Sequence, residues 1–175
     1  MKKIYTGIGS RETPEDVCLL MSRIGRKLAE EGWTLRSGHA SGADLAFEQG
    51  ADKKEIFIPW SGFNGAYPDN KSYFLGTPEG QELAAQFHPA WHRCSSAARL
   101  LHGRNSHQIL GVELDNPSDM VICWTPNGKR GGGTGQALRI AEHFGVPIFD
   151  LAVNTIDELV EFLNHGVVPS VPHQD

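Results

Sequence analysis

The chain has 175 residues and a mass of 19.2 kDa, with 39% hydrophobic and 21% charged residues, the profile of a single globular domain, which excludes the disordered and fibrous classes. Lys plus Arg number 16 against 21 Asp plus Glu, a net charge of -5, so charge alone does not coat the protein in nucleic acid, although a local basic cleft is compatible with it. Cys18, Cys94 and Cys123 form no CxxC pair, and no apolar run suits a signal peptide or a membrane span, so free thiols in a cytoplasmic protein are expected.

Strand and helix patterns alternate along the chain. Residues 3–7 (KIYTG) read as a strand. Thr13 then opens TPED, a capping hydroxyl followed by proline and acids. Val17, Leu20, Met21, Ile24 and Leu28 follow at helical spacing, and Gly32 supplies the stop. Residues 33–37 (WTLRS) give a second strand, 42–51 a short helix with Leu45 and Phe47 turned partly inward, and 55–59 (EIFIP) a third strand. An irregular stretch at 60–78, rich in Gly, Asn, Ser and aromatics, is long enough to cover a site or an interface. Helices are expected at 79–87 and 95–110. The run 120–124 (MVICW) is the most apolar strand and the candidate for the sheet centre. Ala137, Leu138, Ile140, Ala141 and Phe144 mark a further helix, 146–151 a fifth strand, and Ile156, Leu159, Val160 and Leu163 a last helix. This alternation predicts a single α/β Rossmann-like domain: a mostly parallel sheet of at least five strands with helices on both faces.

Three of the strands run into turns of small residues. The first meets Gly7, Gly9, Ser10 and Arg11; the second Ser37, Gly38, Ser41, Gly42 and Asp44; the fourth the cluster Gly132, Gly133, Thr134, Gly135 and Gln136. In a parallel sheet these turns share the carboxyl edge, where open α/β folds bind ligands. Glycine lets backbone N–H groups approach closely, and each following helix start offers unpaired donors and partial positive charge. An anion site is therefore expected, with Arg11 and Arg104 able to add bidentate bonds. The GKRGGGTGQ run (residues 128–136) is not a P-loop, and the GIGSRE run (7–12) has Glu12 where a dinucleotide fingerprint needs its third glycine.

The ordered series GIGSR, SGHASGAD, YPDN (residues 67–70), GRN (103–105) and GGTGQALRIAEHFGVPIF resembles the Rossmann-like domain of DNA-processing protein A. That family lies within the SLOG superfamily, which also holds the Lonely Guy cytokinin-activating enzymes. The resemblance spans residues 3 to about 151 and implies a nucleotide-type ligand. By motif position Gly9, Ser10 and Arg11 would touch a phosphate. Ser37, Gly38, Gly42 and Asp44 would form a second wall, Arg104 and Asn105 would reach in from the helical segment, and residues 132–136 would cap the anion. The chain departs from the Lonely Guy pattern, since aligning the glycines puts Leu138 and Arg139 where that family carries its glutamates.

The reading that follows is a nucleotide-binding protein that senses or sequesters a nucleoside phosphate or an ADP-ribose-like ligand. The alternatives are a single-stranded DNA-binding recombination mediator and a phosphoribohydrolase-type enzyme. No catalytic residue is assigned and no cofactor is expected. A homodimer or higher homo-oligomer is expected by analogy with such folds. Asp44 reads either as a dipole-stabilising carboxylate or as a contact to a ribose hydroxyl. Trp60, Phe63, Tyr67, Tyr73 and Phe74 could stack on a base or pack the loop down. His88, His92 and Cys94 in HPAWHRC have two histidines four apart, but Pro89 interrupts the helix that would align them and no fourth ligand follows at clear spacing. They are read as structural or surface residues, with no metal.

Overall fold

Parallel pairing organises the molecule. The computed structural model describes residues 1–169. Six strands, β1 (Ile4–Gly7), β2 (Thr34–Ser37), β3 (Lys53–Ile58), β4 (Tyr73–Leu75), β5 (Met120–Cys123) and β6 (Ile148–Asp150), form one sheet in the order β4-β3-β2-β1-β5-β6, every pair parallel. The helices are α1 (Glu15–Glu30), α2 (Ala43–Gly50), α3 (Pro78–Phe87), α4 (Ser96–Leu110), α5 (Gly132–His143) and α6 (Ile156–His165). This is an α/β Rossmann-like fold.

The alternation of side chains along each strand divides the core into two layers. Met120 and Ile122 join Tyr5, Leu35, Met21 from α1, Phe47 from α2 and Phe162 from α6. Val121 and Cys123 point the other way, to Ile109 and Leu110 of α4 and Leu138 and Ile140 of α5. Both faces of the sheet are therefore covered, which is why β5 reads as a continuous apolar run.

Several expectations are corrected. β5 is fully buried but second from one edge, and β1 and β2 hold the centre. The irregular stretch contains β4, which adds to β3 as the opposite edge strand. Thr13 does not cap α1: its hydroxyl donates to the Ser10 carbonyl at 2.6 Å, and the helix opens after Pro14 with no side-chain cap. Leu45 is 37% exposed, and Phe144 and Val160 also lie largely outside the core. For α6 the buried residues are Leu159 and Phe162, and Thr155 with Glu158 closes its start as a reciprocal capping box.

Among the described residues, no helix is long and apolar enough to cross a membrane. The strand order reverses direction between β1 and β5. A doubly wound sheet leaves its crevice at that point, because the connections on either side diverge to opposite faces.

Candidate nucleotide-binding cleft

The turn after β1 stays attached to β5 across the reversal: the Ile8 N–H donates to the Ile122 carbonyl at 3.1 Å and the Ser10 N–H to the Trp124 carbonyl at 3.3 Å. Gly9 is where three segments meet. A side chain there would come within 2.7 Å of the Ala43 Cβ at the start of α2 and 3.2 Å of the Trp124 backbone. At Gly42, which precedes α2, φ is +86°, and a Cβ would press on the Ser10 carbonyl at 2.9 Å. Glycine is required at Gly42 both by its left-handed backbone and by this close approach.

Above this junction lies a cleft of about 860 Å³, a volume typical of small-molecule sites. Ile8, Gly9, Ser10, Arg11 and Glu12 from the first turn line it. Ala40 and Asp44 come from the second, and Thr125, Pro126, Asn127 and residues 129–134 from the segment after β5. Arg104, Asn105, His102 and Gln108 enter from α4, and Trp60 and Phe63 from the loop after β3. Below the rim, Thr125 is pinned by Asp150, whose carboxylate accepts from its N–H at 3.2 Å and also from its hydroxyl.

The expected residues are thus only partly brought together. Gly9, Ser10, Arg11, Asp44, Arg104, Asn105, Gly132, Gly133 and Thr134 line the cleft. Gly7 and Ser37 lie beneath it, the Ser37 hydroxyl donating to the Gly7 carbonyl at 2.6 Å. Gly38 packs under Arg104 and Gln108, Gly42 supports the first turn, and Ser41 is exposed away from the lining. Gly135 and Gln136 turn inward, the Gln136 amide donating to the Ala84 carbonyl at 2.9 Å. Lys129 and Arg130 line the cleft but were not among the residues expected from sequence. Their position in the KRGGG run, directly before the helix start, was the available signal.

Arg104 is buried at 7% exposure, and its bonding partners are neutral. Its Nη1 donates to the Gly38 carbonyl at 2.6 Å and the Phe57 carbonyl at 3.4 Å, and its Nε donates to the Asn105 side-chain oxygen at 3.0 Å. The guanidinium also lies over the Phe63 ring, 5.4 Å from its centroid. Asn105 in turn donates to the Gly133 carbonyl at 3.1 Å, tying α4 to the start of α5.

Asp44 is 4% exposed and accepts the Ala40 N–H at 3.2 Å. Burial raises its carboxyl to about 6, against the opposing pull of the Arg104 charge. Four cations (Arg11, Arg104, Lys129, Arg130) and two acids (Glu12, Asp44) border the cleft, so its local balance is basic although the chain is acidic. Glu142, one turn beyond Leu138 and Arg139 on α5, is exposed and pairs with Arg130.

The aromatic loop divides. Trp60 and Phe63 form an edge-to-face pair at 5.5 Å on the cleft wall. Tyr67 is 67% exposed, and Phe74 faces a separate apolar hollow beside β4. Tyr73 donates to Glu48 at 2.5 Å, and His39 contacts the same carboxylate at 2.8 Å. Asn64 donates to the His39 carbonyl at 3.0 Å. This network anchors the loop that presents Trp60 and Phe63.

No protein-family model matches the sequence, and no curated protein does so significantly. Among solved structures, DNA processing protein A from Helicobacter pylori, described for its single-stranded DNA binding mode, matches over 94% of this chain and 74% of its own, with TM-score 0.57 and 21% identity. The chain shares its fold with DNA-processing protein A. The Moco carrier protein from Chlamydomonas reinhardtii matches over 96% of this chain and 87% of its own, with TM-score 0.50 and 15% identity. At these identities the likeness to DNA-processing protein A and to the Moco carrier protein is one of fold.

Proposed function

We propose that the cleft binds a nucleoside phosphate or an ADP-ribose-like molecule. Arg104 carries this reading: it is a buried cation bonded to neutral groups, set in the wall of a cleft that the glycine-started α5 also borders with its first turn. Burying a cation is costly unless an anion compensates it, and Asp44 lies close enough to be felt without forming an ion pair with it. A phosphate at the Gly131–Thr134 turn would receive backbone N–H donors and the charges of Arg11 and Lys129. Asp44 suits a ribose hydroxyl, and Trp60 with Phe63 offers an aromatic wall to a base.

A second reading, binding of single-stranded nucleic acid, draws on the basic balance of the cleft and on the fold shared with a DNA-binding protein. Thermal unfolding with a panel of nucleoside mono- and diphosphates separates the two. Nucleotide binding predicts stabilisation by one ligand class, about 2.7 kcal/mol at a hundredfold excess over Kd. Binding of a strand predicts an oligonucleotide gel shift with steep salt dependence and little response to mononucleotides. Release of free base from a nucleoside monophosphate would move the reading to a hydrolase, with Asp44 as the carboxyl in place. No stabilisation by any nucleotide would remove the leading proposal.

A further inference from the structure

The sequence sets His88 and His92 four residues apart, but the fold assembles a different set. The chain leaves α3 at Phe87 and makes a short 3₁₀ turn at Trp91–Arg93. It then returns to start α4, so that His102 of that helix stands against His88, ring centroids 4.6 Å apart. The Cys94 Sγ is 3.7 Å from the His88 Nε2 and 3.9 Å from its Nδ1. One ligand atom from each of His88, Cys94 and His102 lies within 4.8 Å of the other two. His92 is exposed and lies outside this group.

We propose that His88, Cys94 and His102 form a zinc site at the edge of the cleft. Four observations support it. The donor set, two imidazoles and a thiolate, is the kind zinc prefers, and three protein ligands leave a fourth position for water or another ligand. Tetrahedral ligand atoms on zinc stand about 3.5 Å apart, so closing the group asks for side-chain movement on the order of 1 Å. The Nδ1 of His102 is buried and has no hydrogen-bond partner, an orphan that a metal would satisfy. Trp91 packs against both His88 and His102 and limits their motion.

The Ala90 N–H donates to the His88 Nδ1 at 3.0 Å, which marks that nitrogen as the lone-pair side. Zinc would replace this hydrogen bond and the one the Cys94 thiol donates to the Ala90 carbonyl at 3.6 Å, and would displace the thiol proton to solvent. His102 also lines the cleft, so the metal would stand at the rim of the proposed anion site. The zinc site does not depend on which ligand the cleft takes.

The test uses the intact, reduced and chelator-stripped protein, with metal alone. Titration with Zn²⁺ against a chromophoric chelator is expected to show one saturable equivalent, and Co²⁺ a thiolate charge-transfer band. Cys94→Ser should abolish the band. His102→Ala should cost more than the roughly 10–100-fold lost with a merely supporting residue, and His92→Ala should change nothing. Circular dichroism checks that each variant is folded. The site is overturned if wild-type protein takes up no stoichiometric metal, if cobalt binds without the thiolate band, or if His92→Ala weakens binding as much as His102→Ala.

Discussion

The six helix starts fall into two groups. Helices α3, α4 and α6 are closed by their own hydroxyls: Thr77 accepts from the Gly80 N–H, Ser95 from the Ala98 N–H, and Thr155 from the Glu158 N–H. Helices α1, α2 and α5 begin at Pro14, Gly42 and Gly131 with no side-chain cap. The uncapped three follow β1, β2 and β5, the strands whose turns border the cleft. An unfilled helix start leaves backbone donors without intrahelical partners. Capping is worth about 1 kcal/mol, and the uncapped start of α5, with Gly131, Gly132, Gly133 and Thr134, lines the cleft directly, the place where the proposed anion would be received. A glycine before a helix is weak information; an uncapped, glycine-started helix whose first turn also lines the cleft, as in α5, is stronger.

The largest effect expected on this contrast is at Asp44. Its folded carboxyl titrates near 6, above the usual 3.8. The folded state therefore prefers the protonated acid. That contribution to stability is complete below about pH 3.8 and is lost as pH rises through about 6. Asp44→Asn removes the ionisation, and chemical denaturation should show a variant more stable by up to about 3 kcal/mol at pH 7. The gain should vanish near pH 3.5, while nucleotide affinity falls. Equal gains at both pH values would remove the buried charge from the account.

Next, Arg104→Ala should weaken ligand binding by roughly 1.5–3 kcal/mol, the range for a charged hydrogen bond, as read by calorimetry. Gly131→Asp probes the uncapped start of α5 directly. Gly131 has an extended backbone, φ -149° and ψ 164°, and open space around a Cβ, so the side chain fits. A carboxylate there should cap the helix, raise stability by a few tenths of a kcal/mol and weaken anion binding by about tenfold. The smallest effect is at a capped start: Thr155→Ala should cost about 1 kcal/mol of stability and leave binding untouched.

How far the sequence discloses this arrangement follows from what each signal encodes. Periodicity marks helices and strands well, so the α/β class and five of the six strands were legible. β4 has three residues inside a Gly- and Asn-rich stretch, and its strand character comes from pairing with β3, which no local pattern records. Thr13 has the composition of a cap, but its hydroxyl is drawn to the Ser10 carbonyl by the tight first turn. Gly9 and Arg104 could be placed at the cleft because turn position and a polar break mark them. Gln136 could not be excluded in the same way, because its inward turn depends on the Ala84 carbonyl, 52 residues away. The His88–His102 contact was hidden for a similar reason: the chain has to double back before the two rings meet.

The most direct measurement is a ³¹P nuclear magnetic resonance titration of nucleoside phosphates with wild-type protein and Arg104→Ala. Occupancy of the uncapped rim predicts that one phosphate resonance shifts or broadens to saturation at one equivalent of wild type, with a clearly weaker response in the variant. Phosphate signals left unmoved by wild-type protein, or moved equally by both proteins, would contradict it.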